Sequence, residues 1–359
     1  MAKETLSASK IKVLKSCSWQ YWCKYHLKLP DKTNSGALKG DIVHLLLECL
    51  GDKKHIDNYN SIIRSKDPFS SPGVKRLILK QVKKKNLQQE DAVEICSMIL
   101  NGLFYDFFGR KFGEPTEVIS EKDFEITVEE DSLSYKVKGF IDKLFIYGND
   151  GVVLIRDFKT NKKKFEGKEI TDNLQDYIYT LAIKKMYPQY GDIKMEFVFL
   201  KDDLQENNII EMQAKSNFEL KGFEIELAEY QKYADGFNEK TAVSNLAAQQ
   251  GVPKDGSFSG FLLCGRASKS NEKKKDGSPK WYCTYKFPFD YYCVLDENKN
   301  IKKTYFTRKE INEKSLLPKE TIEKRRYEGC PFFNKKQKND DDGFQDFDLT
   351  SQEKDLFSL

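Results

Sequence analysis

Asp157 and Lys159 stand two apart in the run Val152-Val153-Leu154-Ile155-Arg156-Asp157-Phe158-Lys159. In an extended strand, alternate side chains share a face, so the two groups would point the same way. A carboxylate binds a hard divalent cation. An ammonium beside it orients an attacking water or steadies charge on a phosphate. The pair alone is also what an ordinary surface ion pair looks like. A second carboxylate, Asp142 in Gly139-Phe140-Ile141-Asp142, is separated from the first by the turn sequence Gly148-Asn149-Asp150-Gly151. Pairing the two strands would bring Asp142 beside Asp157, so that both could grip one ion. His44 and Glu48 lie four apart, on one helix face. A neutral imidazole is a third ligand for such a metal, although a lone histidine on an apolar helix is more often a satisfied core residue. Gly36 and Gly40, a helical turn apart, would let this helix approach another backbone or DNA closely. Gln175 and Tyr179 are also four apart. Gln175 can bond a phosphate oxygen or a ligand carboxylate, and Tyr179 can support Gln175 or Lys159.

The elements that must hold these residues follow from periodicity. Helical spacing predicts helices over residues 7–29, 37–50 and 87–109. Alternating or continuous apolar runs rich in β-branched residues predict strands over 117–128, 133–147 and 151–158. A helix over 171–187 is stopped by Pro188, a strand follows over 195–200, and a helix spans 218–250. Residues 54–85 are basic and mixed. The order of elements predicts an α/β core with an added helical part. Three regions are expected: a core with N-terminal helices over 1–250, a Cys- and aromatic-containing segment over 251–333 that packs back on the core, and a disordered tail over 334–359.

Bulk properties bound the partners. The chain has 359 residues, 39% hydrophobic and 32% charged, with a net charge of +4. That balance neither demands nor excludes nucleic acid, because the field of a local patch matters more than the sum. No apolar run reaches the roughly 20 residues that cross a bilayer, and the N-terminus has no signal-peptide core. The expected setting is the reducing cytoplasm, where the eight cysteines are thiols or metal ligands.

Taken together, these residues resemble the RecB-like branch of the PD-(D/E)XK nuclease superfamily, which includes the RecB and AddB nuclease domains and the CRISPR-associated RecB-like exonucleases. The matching motifs are Ser7-Ala8-Ser9 with the aromatic-flanked Cys17, Gly40 to His44, Gly139 to Asp142, Asp157 to Lys159, and Gln175 to Tyr179. They span about residues 7–200. The resemblance implies a restriction-endonuclease-like core, a mixed central sheet flanked by helices, with added helical and Cys-containing C-terminal segments. It implies Mg²⁺- or Mn²⁺-dependent hydrolysis of DNA. His44, Asp142, Asp157 and the main-chain carbonyl of Phe158 would be metal ligands, Lys159 would activate water, and Gln175 and Tyr179 would assist. Glu121 is a weaker ligand candidate and Glu48 a structural residue. Many such relatives hold an iron–sulfur cluster with one cysteine before the catalytic motifs and a Cys-x₂-Cys-x₅-Cys run after them. Here Cys17 matches the first position, but Lys286 stands where the second cysteine of the run would be, and Cys293 lies too far along. The best ligand set is Cys17, Cys264, Cys283 and Cys330, with Cys293 as a substitute, for a [4Fe–4S] cluster or Zn²⁺. The alternative is a lost cluster and buried thiols.

Lys162, Lys163 and Lys164 directly follow the Asp157 strand and are candidates to contact DNA phosphates. The acidic-hydrophobic residues 344–359 form a candidate hook for a replication or recombination protein. The leading expectation is an end- or single-strand-directed DNA exonuclease in replication, recombination or repair. Its rivals are a non-catalytic DNA-binding recombination accessory protein on the same fold and a zinc-dependent regulator built around residues 264–330.

Overall fold

A computed structural model of the chain describes residues 4–32, 34–130, 133–202, 208–247, 264–265 and 267–333. The N-terminal helices are α1 (Ala8–Ser16), α2 (Ser18–Tyr21), α3 (Ser35–Gly51), α4 (Ile56–Ser65), α5 (Pro72–Lys84) and α6 (Asp91–Phe104). Strands β1 (Glu117–Glu130), β2 (Leu133–Tyr147) and β3 (Val152–Lys159) follow. Then come α7 (Lys168–Thr171), α8 (Leu174–Met186), β4 (Asp192–Phe199), β5 (Ile209–Glu211) and α9 (Asn217–Asp235). The last strands are β6 (Phe289–Leu295), β7 (Ile301–Tyr305) and β8 (Thr321–Tyr327).

The chain divides into two compact units, Met1–Lys15 with Lys32–Asn238, and Ser16–Asp31 with Glu239–Leu359. The expected boundary near residue 250 differs from this division, because residues 16–31 group with the C-terminal part.

The first unit is built on a five-stranded sheet in the order β1-β2-β3-β4-β5. Only β3 and β4 run parallel. Parallel neighbours need a crossover, and α8 supplies it. Strand β3 is buried along almost its whole length, as a strand covered on both faces must be. On one face Val153, Ile155 and Phe197 pack against Ile178 and Ile183 of α8 and Leu220 and Leu227 of α9. On the other, Phe158 and Val198 pack against Ile42 and Leu46 of α3 and Ile95 and Ile99 of α6. Helices α4 and α5 were not expected from the basic stretch 54–85. Their apolar residues are sparse but fall on one side, where Ile62, Val74, Ile78 and Val82 are buried. Ser71 caps α5 by accepting from Val74 N, with Pro72 in the first turn, a favoured helix start.

The second unit contains a three-stranded antiparallel sheet in the order β7-β6-β8, which the sequence pattern did not reveal. The single helix expected over 7–29 is broken. Cys17 is extended, at φ −164°, because Ser18 N donates to Asn245 O at 2.8 Å instead of continuing the helical ladder. After α2 the chain makes a π-helical turn, Trp22–His26. Trp19 Nε1 donates to the Tyr327 hydroxyl at 2.6 Å, and that hydroxyl donates to Tyr285 O at 2.9 Å. These bonds fix the 16–31 segment to β8. The helix expected over 218–250 ends at Asp235, before Gly236. The expected tail 334–359 lies outside the described residues. Among the described residues, no helix is long and apolar enough to cross a membrane.

Candidate metal centre

The first unit's site lies where β2 and β3 part. Their register runs to Lys143 opposite Arg156. The next pair would be Asp142 and Asp157. Instead, Phe158 N donates to Asp142 Oδ2 at 2.7 Å, which anchors one carboxylate oxygen and leaves the other facing outward from the strands. Helix α3 comes close at this end. A Cβ on Gly40 would sit 2.6 Å from Thr160 Oγ1, so a glycine is what this approach requires. One turn later His44 Nδ1 lies 3.1 Å from Asp142 Oδ1.

Glu121 completes this group. In the β1–β2 ladder Ser120 pairs with Lys143 and Lys122 with Ile141, so Glu121 stands opposite Asp142 but outside the register. Its φ is +50°, a left-handed conformation that a non-glycine residue holds inside a strand only under local strain. His44, Glu121 and Asp142 each offer a ligand atom within 4.8 Å of the others. An imidazole and two carboxylates, all half-buried, suit a divalent cation by donor chemistry.

Asp157, expected as a ligand, lies beside this group. Gln175 Nε2 donates to its Oδ1 at 2.5 Å, and Lys159 Nζ is 2.6 Å from its Oδ2. Lys159 also donates to Gln175 Oε1 at 2.6 Å. Gln175 Nε2 donates its second hydrogen to the Tyr179 hydroxyl at 2.7 Å, and Tyr179 donates to Phe140 O. Gln175 thus fixes both Asp157 and Lys159, and Asn173 holds Gln175 in turn by capping α8. Phe158 buries its ring in the helical core and meets the site through its backbone. Lys162 and Lys163 are exposed, whereas Lys164 is half-buried and donates to Asn208 Oδ1 at 2.6 Å.

The electrostatics are those of a site crowded with negative charge. Burial, then the neighbouring Asp142, pushes Glu121 up to about 7. Burial opposes the charge on His44, but Asp142, Asp157 and Glu121 outweigh it and hold His44 at about 9. Burial also keeps Asp157 above the usual carboxylate range, against the pull of Lys159. Sequence reasoning gave Glu121 too little weight. Its signal was a place where members of the resembled family often carry a glutamate before the first strand; in the structure it lies within β1, opposite Asp142.

In the second unit, Cys17, Cys264, Cys283 and Cys330 line one cavity together with Lys286, and all four are free thiols. Cys283 N donates to Cys264 O at 2.9 Å. Gly265, at φ +80°, makes the turn beside Cys264; a Cβ there would lie 2.4 Å from Trp281 O. Cys293 is fully buried in β6 with Tyr291 and Leu295 and does not line the cavity. Burial pushes the Cys283 thiol up to about 12 and Cys330 to about 11. Among the described residues, only His44, Glu121 and Asp142 bring three ligand atoms within 4.8 Å. No three of the described cysteine sulfurs therefore lie all within 4.8 Å of one another. Four thiols lining one cavity are, by donor chemistry, a set that an iron–sulfur cluster or a Zn²⁺ ion takes.

Fold and site define a nuclease-type α/β protein with a restriction-endonuclease-like core: a mixed sheet flanked by helices, with an additional Cys-containing C-terminal region. The profile of the PD-(D/E)XK nuclease superfamily matches residues 5–256, and the chain belongs to that superfamily. None of the curated proteins matches it. Among solved structures, the chain is similar to a Eubacterium rectale protein provisionally described as an exonuclease, with 15% identity, 65% of this chain and 81% of that chain covered, and a TM-score of 0.40. It is also similar to VC1899 from Vibrio cholerae, with 12% identity, 58% and 60% coverage, and a TM-score of 0.21.

Proposed function

We propose that the chain is a divalent-metal-dependent DNA exonuclease on the RecB-like branch of its superfamily, acting in replication, recombination or repair. The carrying observation is the convergence of His44, Glu121 and Asp142 beside a lysine that Gln175 and Asp157 hold in place. His44, Glu121 and Asp142 would hold Mg²⁺ or Mn²⁺, with Asp157 and the Phe158 carbonyl as further ligands. Bound there, the ion supplies charge to polarise a phosphate and to acidify a water. Lys159 orients that water and faces the developing phosphate charge. Gln175 keeps Lys159 and Asp157 in register, and Tyr179 fixes Gln175. Lys162, Lys163 and Lys164 follow β3 and would meet the flanking phosphates. In the second unit, Cys17, Cys264, Cys283 and Cys330 would hold a [4Fe–4S] cluster in a structural role, with Zn²⁺ as the competing occupant.

The test incubates end-labelled single- and double-stranded DNA with Mg²⁺ or Mn²⁺. Wild type should release nucleotides from ends, and Asp157→Ala should not. Absence of metal-dependent cleavage by wild type would overturn the proposal.

A further inference from the structure

Lys286 lines the four-thiol cavity and is only 4% exposed. Its amine donates to Gly265 O at 2.7 Å and lies 4.1 Å from the centre of the Phe333 ring. Among the described residues it enters no ion pair. Glu272, whose field it feels, is itself paired with Lys280 at 2.6 Å. An ammonium buried without a counter-charge is strongly unfavourable.

The molecule offers two comparisons. Arg156 is fully buried, and Glu196 at 2.6 Å and Asp106 at 3.2 Å balance it. Lys143 is equally buried among Phe rings with one carbonyl partner, and nothing in that shell becomes anionic. Lys286 shares the carbonyl and the ring with Lys143, but it also shares a cavity with four groups that turn anionic when they bind metal. Its backbone ties it to two of them: Lys286 N donates to Cys283 O at 2.9 Å, and Cys330 N donates to Lys286 O at 3.3 Å.

We infer that Lys286 is the built-in counter-cation of a thiolate-bound [4Fe–4S] cluster on Cys17, Cys264, Cys283 and Cys330, and that its charge sets how easily the cluster is reduced. This inference rests on the cluster reading proposed above. Cluster potentials follow net charge and hydrogen bonding around the sulfurs. A fixed cation beside the thiolates favours the reduced form, which carries one more negative charge. Lys286 is a positioning residue here, not a ligand.

The experiment uses the full chain purified without oxygen. Iron, sulfide and zinc are quantified, and the midpoint potential is read by dithionite titration followed by visible absorbance and EPR. Wild type, Lys286→Met, Lys286→Gln and Lys286→Arg are compared. The expected result is iron and sulfide in cluster proportion in wild type. The neutral variants should be harder to reduce by about tenfold in the equilibrium, 59 mV for a one-electron couple, and Lys286→Arg should stay near wild type. If the neutral variants fold but lose iron while Lys286→Arg keeps it, the counter-cation role is likewise supported. Neutral variants that hold the cluster at the wild-type potential overturn the inference, as does Lys286→Arg behaving like the neutral variants. Zinc or no metal in wild type instead overturns the cluster reading on which it stands.

Discussion

The metal centre of the first unit and the thiol cavity of the second are unbalanced in opposite directions. Around His44 the excess is negative: Glu121, Asp142 and Asp157 crowd one imidazole and raise its proton affinity against its burial, while burial and then Asp142 raise that of Glu121. Around Lys286 the excess is positive, with a buried ammonium and no carboxylate partner among the described residues. Each site also contains one lysine, differently treated. Lys159 is held by Asp157 and Gln175, whereas Lys286 has a carbonyl and a ring. The sign of the missing charge suits a cation in the first site and, on the reading proposed above, an anionic metal–thiolate complex in the second.

The sharpest way to break this contrast is to remove charge from the first site. Asp142→Ala takes away a proposed ligand and the acceptor of Phe158 N. Cleavage should fall by more than the ~10²-fold that loss of an outer-shell partner alone costs, measured on end-labelled DNA at saturating Mg²⁺. Wild-type rates in this variant would remove Asp142 from the centre. For the second site, Cys283→Ser should strip bound metal, while Cys293→Ser should leave the metal-to-protein ratio unchanged, because Cys293 packs in β6 and does not line the cavity. Equal loss in both variants would mean that metal content merely tracks folding. A smaller effect is expected at Gln175, which touches both Asp157 and Lys159. Gln175→Leu should lower kcat by about 10–100-fold, the usual range for an outer-shell partner, with the fold unchanged by circular dichroism. An unaltered kcat would make Gln175 a bystander.

What the sequence disclosed follows the range of each signal. Asp157, Lys159 and Asp142 were legible because strand alternation and a Gly-Asn-Asp-Gly turn act over a few residues. His44 and Gln175 were legible through helical spacing and motif order. Glu121 was underweighted because its place depends on a backbone reversal at φ +50°, which no periodicity encodes. The sheet β6–β8 was hidden for a related reason: no residue of β7 and only Tyr327 of β8 is buried, and both strands are largely polar, so they lack the alternation that marks a half-buried strand. Lys286 was visible only as a departure from a cysteine pattern. Its meaning required knowing that Cys264 and Cys330, remote in sequence, share its cavity.

The charge contrast makes a finer prediction about protons. A metal ligand must be deprotonated, so binding competes with protons. In the metal-free protein Glu121 is held up to about 7, by burial and then by Asp142. His44 reaches about 9 because three carboxylates outweigh its burial. At pH 8, therefore, Glu121 is mostly ionised and His44 mostly protonated, and uptake of one divalent ion should release close to one proton, from the imidazole. Below pH 7 Glu121 adds a second. Metal affinity should consequently fall as pH falls, by about tenfold per unit between pH 9 and 7 and more steeply below. Calorimetric titration with Mn²⁺ in buffers of different ionisation enthalpy counts the protons directly. His44→Gln should abolish the release at pH 8 but leave the Glu121 contribution near pH 6.5. Glu121→Gln should do the reverse. If wild type binds Mn²⁺ at pH 8 without releasing a proton, the raised proton affinity of His44 is refuted, and His44→Gln binding Mn²⁺ as tightly as wild type would remove His44 from the ligand set.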